Sequence, residues 1–258
     1  MNHDACLSDG ELLRYHRQIN LKGWDLEGQE RLKRAHVLVV GLGGLGCAAS
    51  QYLATSGVGR LTLLDGDRVE PSNLARQVLH SEASLGQYKE VSAARRLADL
   101  NPYLQLQALS EFADELNLPD LLHDVDVVLD CTDRRASREL ISWCCRAAGV
   151  PLVSAAVIRF EGQVVSFSWQ PDEPCYRCLS RRFTEPDGSC VTNGVAGPLV
   201  GMVGSLQALQ VVKWLSGAAA VPGGQLLLID GRTLEFMTLT LQPDALCSVC
   251  GQRHRLSA

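Results

Sequence analysis

The sequence predicts an α/β fold: a Rossmann-like, mostly parallel sheet with helices on both faces, extended by a more antiparallel C-terminal part. Three features predict it. Short, continuous Val/Leu runs alternate with helix-length segments, the pattern of a parallel sheet covered on both sides. A G-x-G-x-x-G run, Gly41-Leu42-Gly43-Gly44-Leu45-Gly46, follows the first apolar run and opens a helix. After about residue 160 the alternation gives way to two extended segments, 162–169 and 225–241, which bracket a cysteine-containing loop and a Gly-spaced helix.

Residues 8–34 read as an N-terminal helical arm, opened by Ser8 and Glu11 at capping-box spacing. Strands are expected at 36–40, 60–65, 103–109, 125–130 and 151–155, with helices at 44–56, 86–100, 113–122 and 136–148. Gly57 is placed to cap the first of these helices, and Asn101-Pro102 to stop the second. The apolar stretch 198–215 carries Gln207, Gln210 and Lys213, so it reads as a core helix and not a membrane span. Gly197, Gly201 and Gly204 would let this helix pack closely, against the sheet or in a dimer. The arm (1–34), the nucleotide-binding core (35–160) and the sheet extension (161–258) are expected to form one continuous domain, since no linker or repeat divides them.

Composition narrows the function. The 258 residues carry 24 Lys and Arg against 29 Asp and Glu, a net charge of −5, which argues against wrapping nucleic acid or an anionic membrane. The polar, acidic start lacks the basic and apolar regions of a signal peptide, so a reducing cytoplasm is expected. There, ten cysteines are metal ligands, nucleophiles or small buried hydrophobes.

The Gly run marks a phosphate site, because glycines allow a tight turn and bring backbone amides to a helix N-terminus. Gly41, Gly43, Gly44 and Gly46 are its members, and Asp65, ending the next strand, stands at the distance expected for ribose hydroxyls. The motif alone does not choose between NAD and ATP. Ligands of such sheets bind beyond the carboxyl ends of the strands, where Asp65, Asp67 and the run Asp130–Asp133 fall. Ser72-Asn73-Leu74-Ala75-Arg76-Gln77 lies just past the second strand, and Lys89 begins the following helix. Arg76, Lys89 and Asp133 together suit a triphosphate with Mg²⁺, which needs cations on its phosphates and a carboxylate for the metal, better than a dinucleotide.

Two further pairs, Cys175-x₂-Cys178 and Cys247-x₂-Cys250, have the spacing of a four-thiolate structural Zn²⁺ site, the alternatives being a redox pair or four core thiols. The metal would clip the C-terminal part onto the body. Cys6, Cys47, Cys131, Cys144 and Cys145 default to buried filler. Cys190 stands apart in the polar loop EPDGSCVTNG, where a thiolate could be exposed.

The run from Arg17 to Gln77, with LDCTD, PLVSAA, PCYRCL, AGPLVG and the final cysteine pair, resembles the ubiquitin-activating-like adenylyltransferases over essentially the whole chain. Within that family it is more similar to the branch that serves molybdopterin synthase. The resemblance implies that Gly44, Asp65, Ser72, Asn73, Arg76, Lys89 and Asp133 line an ATP site, with Mg²⁺ on Asp133. It also implies that Arg17 reaches the nucleotide of the neighbouring subunit in a homodimer, and that Cys190 matches a cysteine used for sulfur or thioester chemistry in some members. One position departs: the family's CTDN is CTDR here, which puts Arg134 where an Asn is usual. Arg134 would touch phosphate, meet the substrate tail or point to solvent.

The implied reaction is adenylation of the C-terminal Gly-Gly carboxylate of a ubiquitin-like sulfur carrier, the small subunit of molybdopterin synthase. That carboxylate is ionised at pH 7, so no general base is required. Sulfur would come from a separate donor protein. Within the superfamily the thiamine-pathway carrier or a modified tRNA adenosine are alternative substrates. Outside it, a NAD-dependent dehydrogenase would leave Arg76, Lys89 and Asp133 idle, and a non-catalytic zinc-stabilised binding module would not need them.

Overall fold

Five consecutive buried residues, His36–Val40, form β1, third in order in an eight-stranded sheet. The computed structural model describes residues 6–182 and 194–251. After the arm helices α1 (Asp9–Ile19) and α2 (Asp25–Arg34), the chain runs β1, α3 (Gly44–Ser56), β2 (Arg60–Leu64), α4 (Lys89–Leu100), β3 (Gln105–Leu109) and α5 (Asn117–Leu121). It continues through β4 (Val127–Asp130), α6 (Arg135–Ala148), β5 (Leu152–Ile158), β6 (Glu161–Phe167), α7 (Tyr176–Ser180), α8 (Gly197–Ser216), β7 (Gln225–Asp230) and β8 (Glu235–Thr240). The strand order is β3-β2-β1-β4-β5-β6-β7-β8. Pairing is parallel from β3 through β5 and antiparallel from β5 to β8, as the sequence predicts.

Alternation along the central strands divides the core in two. Val37 and Val39, with Leu61, Leu63, Val127 and Leu129, face a layer made by α3, α4 and α8. Leu38 and Val40, with Leu64, Val128 and Leu152, face the layer of α5 and α6. β1 and β4 are therefore buried on both sides, which is why their sequences read as unbroken Val/Leu runs. The order reverses between β1 and β4, and the crevice opened there lies at the carboxyl ends where the Gly run sits.

The N-terminal signals act locally as expected. Ser8 Oγ accepts the Glu11 amide while Glu11 Oε2 accepts the Ser8 amide, closing the capping box on α1. Gly57 ends α3 in the left-handed conformation, φ +89°. Other boundaries shift for visible reasons. The helix expected at 86–100 starts at Lys89, because Gly86 turns at φ +76° and Tyr88 bridges to Arg68. The helix expected at 113–122 begins only at Asn117, since Asp114 Oδ1 accepts the Leu116 and Asn117 amides and holds a turn. The extended segment 225–241 is a hairpin, broken where Asp230 Oδ1 accepts the Arg232 amide and Leu234 adopts φ +60°.

The glycines of α8 are not used against the sheet, one of the two roles expected of them. A Cβ on Gly204 would lie 2.6 Å from the Leu45 carbonyl of α3, so the close approach is helix on helix. Gly197 crowds the Ala75 carbonyl, and Gly201 has open space. Among the described residues no helix is long and apolar enough to cross a membrane.

Candidate active site

The Gly run links β1 to α3. Gly41 turns at φ +92°, and a Cβ there would press on the Cys131 carbonyl at the end of β4. A Cβ on Gly46 would collide with the Gly41 carbonyl, and one on Gly44 would meet Val200 of α8 at 2.5 Å. Gly43 is the N-cap of α3, with no side chain bonded to the free amides of the first turn and no acid in it. Those amides and the helix dipole favour an anion at this point.

Asp65 directly follows the neighbouring strand β2 and braces the loop: Oδ2 accepts the Leu42 amide at 2.6 Å and Oδ1 the Asp67 amide at 2.8 Å. Burial pushes its carboxyl up, against the pull of those two amides and of Lys89. Lys89 is itself buried, and Nζ lies 2.9 Å from Asp67 Oδ2. The cation is thus anchored at the sheet edge by its own carboxylate. The short turn Pro71–Asn73 carries the next group. Asn73 Oδ1 accepts the Glu70 amide at 3.1 Å and so holds the turn, while Ser72 is exposed. Arg76 is half-buried, and Nη1 donates to the Ser72 carbonyl at 3.0 Å.

At the end of β4 the carboxylates divide. Asp130 is fully buried, accepting from the Thr132 amide and hydroxyl and from Ser154 Oγ. Asp133 and Arg134 are exposed, and their side chains make no hydrogen bond or ion pair among the described residues. Sequence reasoning missed the buried His80, whose ring nitrogens lie 3.1 Å from the Leu42 carbonyl and 3.0 Å from Ser92 Oγ. It ties the Gly loop to the helix bearing Lys89. Burial holds its pKa below the ordinary histidine value, and no local motif marks it.

Arg17 stands apart. Its neighbour Gln18 bonds to the Ser56 carbonyl at 2.6 Å, and Tyr15 Oη accepts from Asn101, which fixes α1 at the C-terminal end of α3. The 13 residues of α3 span about 20 Å, so the exposed Arg17 is at the opposite end from the Gly loop of its own chain. Cys190 lies outside the described residues.

The two cysteine pairs converge. Sγ atoms of Cys175, Cys178, Cys247 and Cys250 all lie within 4.8 Å of one another, and all four residues are buried. Cys175 and Cys247 are 3.6 Å apart and Cys178 and Cys250 3.3 Å, close to the separation of about 3.8 Å required around a tetrahedral zinc. The Asp244 and Val249 amides point at Cys178 and Cys247 sulfurs, each at 3.4 Å, which favours thiolates. Cys47, Cys131, Cys144 and Cys145 are buried as expected of fillers, whereas Cys6 is exposed, its segment lying ahead of the first helix cap.

A family model, described as the ThiF family, matches residues 15–249. The chain belongs to the ThiF family. It is 51% identical over 248 residues to the molybdopterin-synthase adenylyltransferase of Escherichia coli K12, covering 96% of this chain and 100% of that one. To the sulfur carrier protein ThiS adenylyltransferase of the same organism it is 42% identical, over 95% of this chain and 97% of that one. Among solved structures, E. coli MccB superposes with a TM-score of 0.79 at 23% identity, covering 98% of this chain and 76% of that one, and so shares the fold.

Proposed function

We propose that this ThiF-family chain is an ATP-dependent adenylyltransferase that activates the C-terminal glycine carboxylate of the small sulfur-carrier subunit of molybdopterin synthase, for thiocarboxylate formation in molybdenum cofactor biosynthesis. The full-length match at 51% identity carries the assignment. Names of the full-length relatives also favour it over a dehydrogenase or a non-catalytic binding module. The thiamine-pathway carrier is the second reading, supported by the 42% relative.

The residues supply what the reaction needs. The carrier carboxylate is already a nucleophile, so the barrier lies in alignment at the α-phosphorus and in the charge leaving as pyrophosphate. Free amides at the start of α3 receive phosphate, and Asp65 is near enough to the loop to bind ribose hydroxyls. Arg76 and Lys89 neutralise the leaving charge, and Arg17 of the partner subunit completes the set in a homodimer. Asp133, exposed and without a partner among the described residues, would hold Mg²⁺, which when bound screens the phosphate charge. Sulfur then reaches the acyl-adenylate from a separate donor protein. Cys190 remains a proposed participant in that later transfer.

Structural Zn²⁺ would be held by Cys175, Cys178, Cys247 and Cys250; four protein ligands leave no open position for catalysis. Metal analysis should find about one zinc per chain, and a folded, active, metal-free protein would contradict that. Carrier-dependent ATP–pyrophosphate exchange, run with both sulfur carriers, tests the activity. Arg76→Ala and Asp133→Ala should each abolish exchange without loss of fold. Wild-type rates from either variant would remove its residue from the site.

A further inference from the structure

We infer that the side-chain amide of Gln77 is a direct ligand of the nucleotide's phosphate chain where that chain crosses Gly43; this rests on the ATP-site reading above. Gln77 is 3% exposed, yet its side chain makes no hydrogen bond among the described residues, and Oε1 is buried without a partner. A phosphate oxygen, itself an acceptor, leaves Oε1 as it is; what calls for a ligand is the donor end, Nε2, held by the buried side chain with no partner among the described residues. The backbone is fixed on both sides, with the Gln77 amide bonded to the Asn73 carbonyl and the Gln77 carbonyl accepting from His80. Nε2 lies 3.8 Å from where a Cβ on Gly43 would stand.

Gly43 adds an independent observation. Gly41 needs its positive φ, while Gly44 and Gly46 have no room for a Cβ. Gly43 has φ −73°, which any residue adopts, and its nearest neighbour would be in ordinary contact with a Cβ. Neither backbone nor packing requires glycine there. What glycine does at 43 is leave the space beside the Gln77 amide uncovered, at the mouth of the free amides of α3. Phosphate oxygens only accept hydrogen bonds, so the nitrogen end of the amide must face the ligand, and it is the end beside Gly43. A neutral donor adds orientation to a site where Arg76 and Lys89 supply the charge.

The test is the pair Gln77→Met and Gln77→Glu in the full chain. Each is assayed for ATP affinity by titration calorimetry, for thermal unfolding without ligand, and for carrier-dependent exchange. Gln77→Met keeps the volume and removes the donor, so ATP affinity should fall about tenfold or more while unliganded melting stays level or rises. Gln77→Glu turns a carboxylate toward phosphate and should weaken ATP further. Weaker binding with a lowered melting temperature in Gln77→Met would assign a packing role and overturn the inference. Unchanged ATP affinity in a folded variant would also overturn it, and with exchange intact would leave the adenylation reading standing. Wild-type protein that binds no ATP would overturn both. If Gln77→Met does not fold, Gln77→Glu decides by the same two readouts.

Discussion

Asp130 and Asp133 are three residues apart and do opposite things. Asp133 stands in solvent with no side-chain partner among the described residues, the carboxylate proposed for Mg²⁺. Asp130 has no exposed surface and spends its oxygens on Thr132 and Ser154, so its part is to shape the turn that presents Asp133. Burial pushes the Asp130 carboxyl up, only partly offset by Arg138 and by the hydroxyl bonds. The folded protein therefore holds this proton more tightly than the unfolded chain does. Its ionisation costs stability as pH rises from the unfolded value toward and through the raised one. Asp130→Asn keeps the Thr132 bonds and turns an Nδ2 donor toward Ser154 Oγ, which then accepts where it now donates, with no charge to bury. The variant's melting temperature relative to wild type should therefore increase from pH 4 to pH 7. A difference that is flat or falls with pH would show that Asp130 is ionised without penalty.

Helix α6 opens on Arg134 at its N-cap, with no side-chain cap and no acid in the first turn. An arginine cannot accept from the free amides there, and its charge opposes the helix dipole. The Asn that the family resemblance expects at this position is among the best N-caps. Arg134→Asn should stabilise the protein by about 0.5–2 kcal/mol in urea denaturation; a lower midpoint would mean Arg134 has a stabilising contact. Elements of this kind were partly legible in the sequence. Unbroken Val/Leu runs gave β1 and β4 because both faces are covered, and the capping box and Gly57 gave helix ends because those signals are local. The starts of α4 and α5 were not legible, since a bridge to Arg68 and an Asp114 turn decide them. At the site, the Gly run, Asp65 and the cysteine spacing were readable as motifs. His80 and Gln77 were not, because their meaning lies in contacts with Leu42 and Gly43, which are distant in the chain.

In the whole molecule, the reversal of strand order between β1 and β4 creates one crevice, and one proposed member of its charge set is missing from it. Arg17 is fixed at the far end of α3, so only a second chain can bring it to the nucleotide. Mixing Arg17→Ala with Asp133→Ala protein, each inactive alone, should restore exchange to about a quarter of wild type once subunits redistribute, because half the dimers are hybrids with one intact site. Mixtures that remain inactive after verified subunit exchange would place Arg17 outside the reaction. The cysteine cluster carries a different consequence, one of timing. Cys175 and Cys178 leave the ribosome before Cys247 and Cys250, with 68 residues between the pairs. Translation of that interval takes roughly 3–14 s. When that period begins six of the eight strands have been synthesised, β7 and β8 follow within it, and throughout two thiols wait without their counterparts, open to oxidation or to the wrong metal.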